Sequence, residues 1–188
     1  MHKRICFIHT DTNGLHKYQG EVSKKKLYAF ARLVVLNYDI GYIKDNKYYE
    51  EINENIIIKP NCMIINEDTI KFHGITNEIA NDKGTDINDV LDNFKNDLKN
   101  VNVIVGHNID FHLKTLLSEY VRYNINIDLS KYLIIDTISF YHNFGFLKLK
   151  DLAHKLLIKD INDKNNLELI RETFFKLYSK FEKSLINK

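Results

Sequence analysis

Tryptophan is absent from this chain, proline occurs once, at Pro60, and glycine only seven times. Such scarcity excludes a collagen-like or Pro/Gly-rich low-complexity chain. Without a Pro-, Gly- or Ser-rich stretch there is also no linker at which to divide the 188 residues, so residues 1–188 are expected to form a single domain. Only two cysteines are present, Cys6 and Cys62. They form neither a metal-binding spacing nor a disulfide framework, and both are expected on buried or strand segments as reduced thiols. No apolar run approaches the roughly 20 residues of a membrane span, which argues against a membrane partner. The opening MHKRICFIHT enters an apolar strand without a signal-peptide pattern. A reducing compartment of cytoplasmic or nuclear type is therefore expected, and secretion is not. Charge of one sign is also lacking: 27 Lys and Arg face 25 Asp and Glu, a net +2, too weak to announce nucleic-acid binding by itself. The run Lys24-Lys25-Lys26 reads as a solvated loop rather than a phosphate site.

What is abundant is Asn, Ile and Lys, a bias that fits an AT-rich genome such as that of some large DNA viruses. At 44% hydrophobic and 28% charged residues, the chain has the composition of a globular domain with a sizeable core. Ile5 to Thr10 reads as a first strand, followed by a turn at Asn13-Gly14. The β-branched and aromatic stretch Tyr28 to Tyr38 reads as a second strand, and Tyr48 to Ile58 as a third, ending before Pro60. Helical periodicity predicts a helix over Asp86 to Lys99, capped by Asp86. Val101 to Val105 is a short buried strand. Asn108 is placed to cap a helix through Tyr123, with Phe111, Leu113, Leu116, Leu117 and Tyr120 facing inward. Leu133 to Ile135 leads as a fifth strand to Asp136. Helical stretches follow at Thr137 to Asn143, Leu149 to Ile158 and about Asn165 to Ile186. The last is amphipathic through Phe174, Phe175, Tyr178, Phe181 and Leu185. Strands first, then strands alternating with helices, indicate an α/β domain with a mixed central sheet.

Five stretches carry a resemblance. They are FIHTDTNGL (7–15), IIIKPNCMIINEDTIKFHGITNE (56–78) with an intact HGIT, VIVGHNIDFHLKTLLSE (103–119), IIDTISF (134–140), and LKLKDLAHKLLI with the helix after it. In this order they resemble the DnaQ-like (DEDDh) 3′–5′ exonucleases of the RNase H-like superfamily, over nearly the whole chain. The resemblance implies an RNase H-like fold, a mixed five-stranded sheet flanked by helices. It also implies phosphodiester cleavage with two divalent metal ions, about 3.5–4 Å apart. Hard cations of that kind want carboxylate oxygens, and a His near its working pKa serves as general base.

Position by position, the family's first Asp and its Glu correspond to His9 and Asp11, which strand alternation puts on one face. The Asp of the third stretch corresponds to His112. In the last helix Asn165 stands at the general-base position and Ile170 at the final metal Asp. That register leaves Thr173, Phe174 and Leu177 on the same inward face. Of these five chemical positions only Asp11 keeps a carboxylate. Asp110 and Glu168 each lie two helical residues from a family position, about 200° round the helix. A shifted register pairing Asp163 with Glu168 stays open but aligns the apolar face less well. Asp136 matches a structural or outer position.

Two readings of the degenerate site follow. Either no cofactor binds, or His9, Asp11 and His112 converge as two imidazoles and a carboxylate on a single divalent metal such as Mn²⁺, Zn²⁺ or Mg²⁺. The substrate cleft is better kept. By resemblance, Thr12, Asn13, Gly14 and Leu15 would approach a terminal nucleotide, bordered by His73 and Gly74, with Asn108 and Phe111 opposite. Gly14, Asn108 and Phe111 also have plain structural readings as turn, cap and core. His2, His16, His107, His142 and His154 read as ordinary surface or core residues. The expectation is an inactive or impaired exonuclease homologue that binds single-stranded DNA or RNA, a protein partner or a second copy of itself. An active exonuclease with non-standard ligands and a purely structural subunit are the alternatives.

Overall fold

A computed structural model describes residues 3–45, 47–139 and 146–185, with side chains through residue 178. Five strands form one sheet in the order β3-β2-β1-β4-β5. They are β1 (Arg4–Thr12), β2 (Leu33–Lys44), β3 (Lys47–Ile57), β4 (Val103–Gly106) and β5 (Leu133–Asp136). The β1–β2 and β2–β3 pairs are antiparallel, whereas β1–β4 and β4–β5 are parallel. The sheet is therefore mixed, as the strand-then-alternation pattern implies.

Alternation along β1 decides what meets what. Cys6 and Ile8 face one layer, packing with Leu36, Tyr38 and Ile40 of β2 against α3 (Ile87–Asp97) and α4 (Ile109–Arg122). Ile5 and Phe7 face the other, where α6 (Asn166–Leu185) lays Leu167, Ile170 and Phe174 on them. Continued to its end, the same parity turns His9 and Asp11 toward α6 and Thr10 toward α4. A smaller cluster of Val34, Val35, Met63, Ile65 and Ala80 lies under α1 (Glu67–His73) and α2 (Asn77–Lys83). Another joins α5 (Leu149–Lys155) to α6 through Leu152, Leu156, Leu169 and Leu177.

Several expectations are corrected. The second strand starts at Leu33 rather than Tyr28, because Lys24–Ala29 is a 3-10 turn that leaves Tyr28 exposed. Asn108 occupies the N-cap position of α4 but its side chain makes no capping bond. The Asp136 carboxylate caps that helix instead, accepting the N–H groups of Asn108 and Ile109 at 2.9 and 3.0 Å, and that of Ile138 at 3.0 Å. The inward face of α4 is more polar than its apolar spacing suggests. His112, Thr115, Ser118 and Glu119 are buried there, while Phe111, Leu113 and Leu117 are half-buried. Cys6 is buried as expected, but Cys62 is exposed on the turn after Pro60. Only Thr137–Ser139 of the helix expected to begin at Thr137 lies within the described residues, as a 3-10 turn. His2, His142 and the side chains of Phe181 and Leu185 fall outside them. Among the described residues no helix is long and apolar enough to cross a membrane.

Candidate nucleic-acid cleft

The end of β1 opens into a cleft of about 330 Å³. His9 and Asp11 form part of its floor, and Asn37 and Val35, their cross-strand partners on β2, continue it. Asn53 and Asn55 of β3, and Asn165 and Asn166 at the start of α6, bring the asparagines lining it to five. Phe72, His73 and Ile75 form one rim, Lys150 and Lys164 another. Asp11 supplies the carboxylate that faces this lining; Glu54 borders it too, but it pairs with Tyr38 and its side chain follows Tyr38 to the other face of the sheet.

His9 Nε2 lies 3.0 Å from the Asn166 side-chain amide and 3.5 Å from Asp11 Oδ1. The second contact is too long for a strong hydrogen bond. His112 stands edge-on to His9 with ring centroids 4.8 Å apart, but its nitrogens are engaged elsewhere. Its Nδ1 accepts the Thr10 N–H at 3.0 Å and the Thr10 hydroxyl at 2.8 Å, and its Nε2–H donates to the His107 carbonyl at 3.1 Å. A peptide N–H cannot point at a protonated nitrogen, so this network fixes a neutral tautomer. Burial, with His9 adding to it, pushes the His112 pKa well below the usual imidazole range. The expected convergence of His9, Asp11 and His112 on one metal is therefore not assembled, because His112 offers no free lone pair. Among the described residues no three His, Cys, Asp or Glu side chains group as a metal site.

The α6 positions are equally engaged. Asn165 Oδ1 accepts the Glu168 N–H at 2.9 Å while Glu168 Oε2 accepts the Asn165 N–H at 2.8 Å. This reciprocal capping box starts the helix and takes up Glu168, while Asp163 is exposed. Ile170 is 0% exposed among Ile5, Phe7, Val103, Val105 and Phe174, a burial that stabilises by about 1.5–3 kcal/mol.

The eight residues expected to touch a nucleotide divide. His73 lines the cleft; its Nδ1 accepts the Ile75 N–H at 3.0 Å, and burial lowers its pKa while Asp11 opposes that shift. Gly74 is exposed beside it at φ 75°, the left-handed residue that ends α1. Asn13, Gly14 and Leu15 wall a separate cavity on the other side of their turn. The Thr12 hydroxyl is turned into that turn, donating to the Gly14 carbonyl at 2.6 Å. Asn13 ties the turn to the residue before β2, its Oδ1 accepting the Arg32 N–H at 2.8 Å. Asn108 and Phe111 line neither cavity; Phe111 stacks on His16 at 4.4 Å.

Sequence reasoning missed the asparagine lining. Its signal was Asn37 within the apolar run LVVLNYDI, in register with His9. It also missed what His16 and His107 do. His16 accepts the Ala31 N–H at 3.0 Å and donates to the Phe111 carbonyl at 3.1 Å. His107 bridges the Thr137 hydroxyl and the Leu147 carbonyl, each at 2.9 Å. Burial lowers the pKa of both. Like His112, each joins chain segments that are distant in sequence.

The same architecture recurs in known proteins. Exonuclease I in complex with the inhibitor BCBP superposes with a TM-score of 0.74 at 13% identity, over 97% of this chain and 42% of that one. E. coli exonuclease I in complex with a dA16 oligonucleotide gives 0.70 at 14% identity, over 94% and 41%, and the ExoI/SSB-Ct complex 0.69 at 13%, over 95% and 42%. This chain thus spans about two fifths of the length of those proteins. At such identities the likeness is one of fold, the RNase H-like fold. No curated protein sequence matches the chain significantly. The exonuclease family RNase T matches it over residues 8–163, from the second half of β1 to the segment before α6, and the chain belongs to this DnaQ-like exonuclease family of the RNase H-like superfamily.

Proposed function

We propose that this domain binds the end of a single-stranded nucleic acid and does not cut it. One observation carries the reading: five asparagines line the cleft, and of the acids in its lining only Asp11 turns its carboxylate inward, with no three His, Cys, Asp or Glu side chains grouped as a metal site among the described residues. Two-metal hydrolysis needs several hard oxygen ligands converging on paired cations, and the residues present do not fit that metal pair. Asn165 is engaged as a helix cap and Ile170 as core, which supports the same reading. Side-chain amides donate and accept at once, so they suit base edges and sugar hydroxyls. Lys150 at the rim supplies charge for phosphate, while Lys164 beside it is shared with the Lys159 carbonyl and the Glu172 carboxylate. Phe72, 90% exposed beside His73, offers a face on which a base stacks.

The test is incubation with labelled single-stranded DNA and RNA in Mg²⁺ and in Mn²⁺, beside a gel-shift titration. The expected result is retardation without shortening, weakening steeply with salt. Degradation that disappears in Asp11→Ala would show an active enzyme with non-standard ligands. Neither retardation nor degradation would leave a structural subunit as the better reading.

A further inference from the structure

A second cavity, of about 470 Å³, lies across the Thr12–Leu15 turn from the cleft. It is walled by residues 13–15, by residues 27–32 and by Arg122 near the end of α4. No carboxylate is among its lining residues, whereas Lys17, Arg32 and Arg122 are. Beneath the wall, Glu119 is 1% exposed and takes Arg32 Nε at 2.8 Å and Arg122 Nη1 at 3.0 Å on the same oxygen. Two guanidiniums against one buried carboxylate leave one positive charge uncompensated, and Lys17 adds another. The run Lys24-Lys25-Lys26 leads directly into the wall at Leu27 and Tyr28. The three lysines do not themselves line the cavity: Lys24 is held by Asn124 Oδ1 at 2.9 Å and Lys26 lies over the Tyr18 ring at 5.4 Å. In a chain with a net charge of only +2, three cations thus line one hollow that has no carboxylate in its lining. Two large apolar side chains stand in its lining unburied, Leu15 at 82% and Tyr28 at 78% exposure.

Cations around a hollow with an exposed aromatic face are what a single strand requires, a path for phosphates and a platform for bases. We infer that this second cavity holds nucleotides upstream of a strand end seated in the cleft, with Lys17 and Arg32 beside the phosphates and Tyr28 against a base. The inference rests on the proposed binding role of the cleft and extends it. Only Thr12 separates Asp11, which lines the cleft, from Asn13, which lines the second cavity, so one strand crossing the turn at Leu15 would contact both.

The test is fluorescence anisotropy with labelled oligothymidylates of two and of twelve nucleotides, on wild type, Tyr28→Ala and Lys17→Glu/Lys25→Glu. Circular dichroism confirms that each variant is folded. The twelve-mer is expected to bind the wild type more tightly than the dimer. Tyr28→Ala should weaken the twelve-mer by about 5- to 150-fold, the range of one base–aromatic stack. The lysine variant should lower the slope of log K against log salt by about 0.7 for each phosphate that is no longer neutralised. Both should leave the dimer unchanged. If the twelve-mer binds and neither variant alters it, the second site is wrong while the cleft reading stands. If the wild type binds neither oligonucleotide, both are wrong.

Discussion

Carboxylates in two regions of this molecule meet opposite treatment. In the scaffold, Glu119 and Asp39 are each 1% exposed and Asp136 is half-buried, and all three are surrounded by donors. Glu119 meets Arg32, Arg122 and the Leu33 N–H. Asp39 meets Arg171 at 2.7 Å and the Tyr48 hydroxyl. Asp136 accepts three peptide N–H groups. In the cleft, Asp11 has His9 Nε2 at 3.5 Å. The acids that meet several donors are those that hold elements together, although the buried Glu119 Oε2 itself has no partner among the described residues, and the region where family chemistry calls for acids is lined mainly by amides.

That contrast can be broken by substitution, and the expected effects fall in order. Glu119→Ala should cost about 3–5 kcal/mol in urea unfolding, since it strands two guanidiniums in a buried setting. A cost below about 1 kcal/mol would mean that water replaces the carboxylate and that the contrast is superficial. Asp136→Ala removes the cap of α4 and should cost about 2 kcal/mol, with faster amide exchange at residues 108, 109 and 138 as the local signature.

The next effect is acid lability. His112, His107 and His16 have lowered pKa values in the folded state, so below pH about 6.5 the unfolded chain binds more protons. Their contribution to stability is present above that pH and is lost as pH falls, with a slope of at most about 1.4 kcal/mol per pH unit for each group. Asp39 runs the other way. Burial raises its pKa to about 6 against the opposing pull of Tyr48 and Arg171. It therefore favours the folded state at low pH and loses that contribution as pH rises through about 6. Melting temperatures between pH 5 and 8 should show a net fall toward acid, flattened in His112→Asn. An unchanged slope in that variant would remove His112 from the account. The smallest effect belongs to the cleft: Asp11→Ala should alter stability by no more than about 0.5 kcal/mol. A larger loss in thermal unfolding would make Asp11 a scaffold acid after all.

Much of the scaffold was legible because it rests on local periodicity. The parity of β1 that sends Phe7 and His9 to one face and Ile8 to the other follows from alternation, and Ile170, Thr173, Phe174 and Leu177 share one buried stripe of α6. The polar joints were not legible, because their partners lie far off in sequence. Arg32 and Glu119 are 87 positions apart, and Thr10 and His112 are 102 apart. A histidine on an otherwise apolar helix face does not reveal whether it will meet a metal or a peptide N–H until the facing strand is in place. The helix α1 escaped notice for a different reason: it buries none of its residues, so it leaves no apolar stripe to read. In the cleft, the β1 residues were visible through a motif, whereas Asn53 and Asn55 line it only because β3 pairs with β2 in register.

Ile170 has a consequence for any attempt to build a two-metal site at the family's positions. An Ile170→Asp change would not simply restore a ligand. It would leave an unpaired carboxylate among Ile5, Phe7, Val103, Val105 and Phe174, at a cost of several kcal/mol, a large part of the roughly 5–15 kcal/mol that keeps an ordinary domain folded. His112→Asp would meanwhile deprive the His107 carbonyl of its donor. Each repair alone lowers stability before any chemistry could reward it, so single steps lead through less fit intermediates. A four-carboxylate site at these positions would need compensating changes in the core and the cleft together, and directed evolution by point mutation is the wrong search for it.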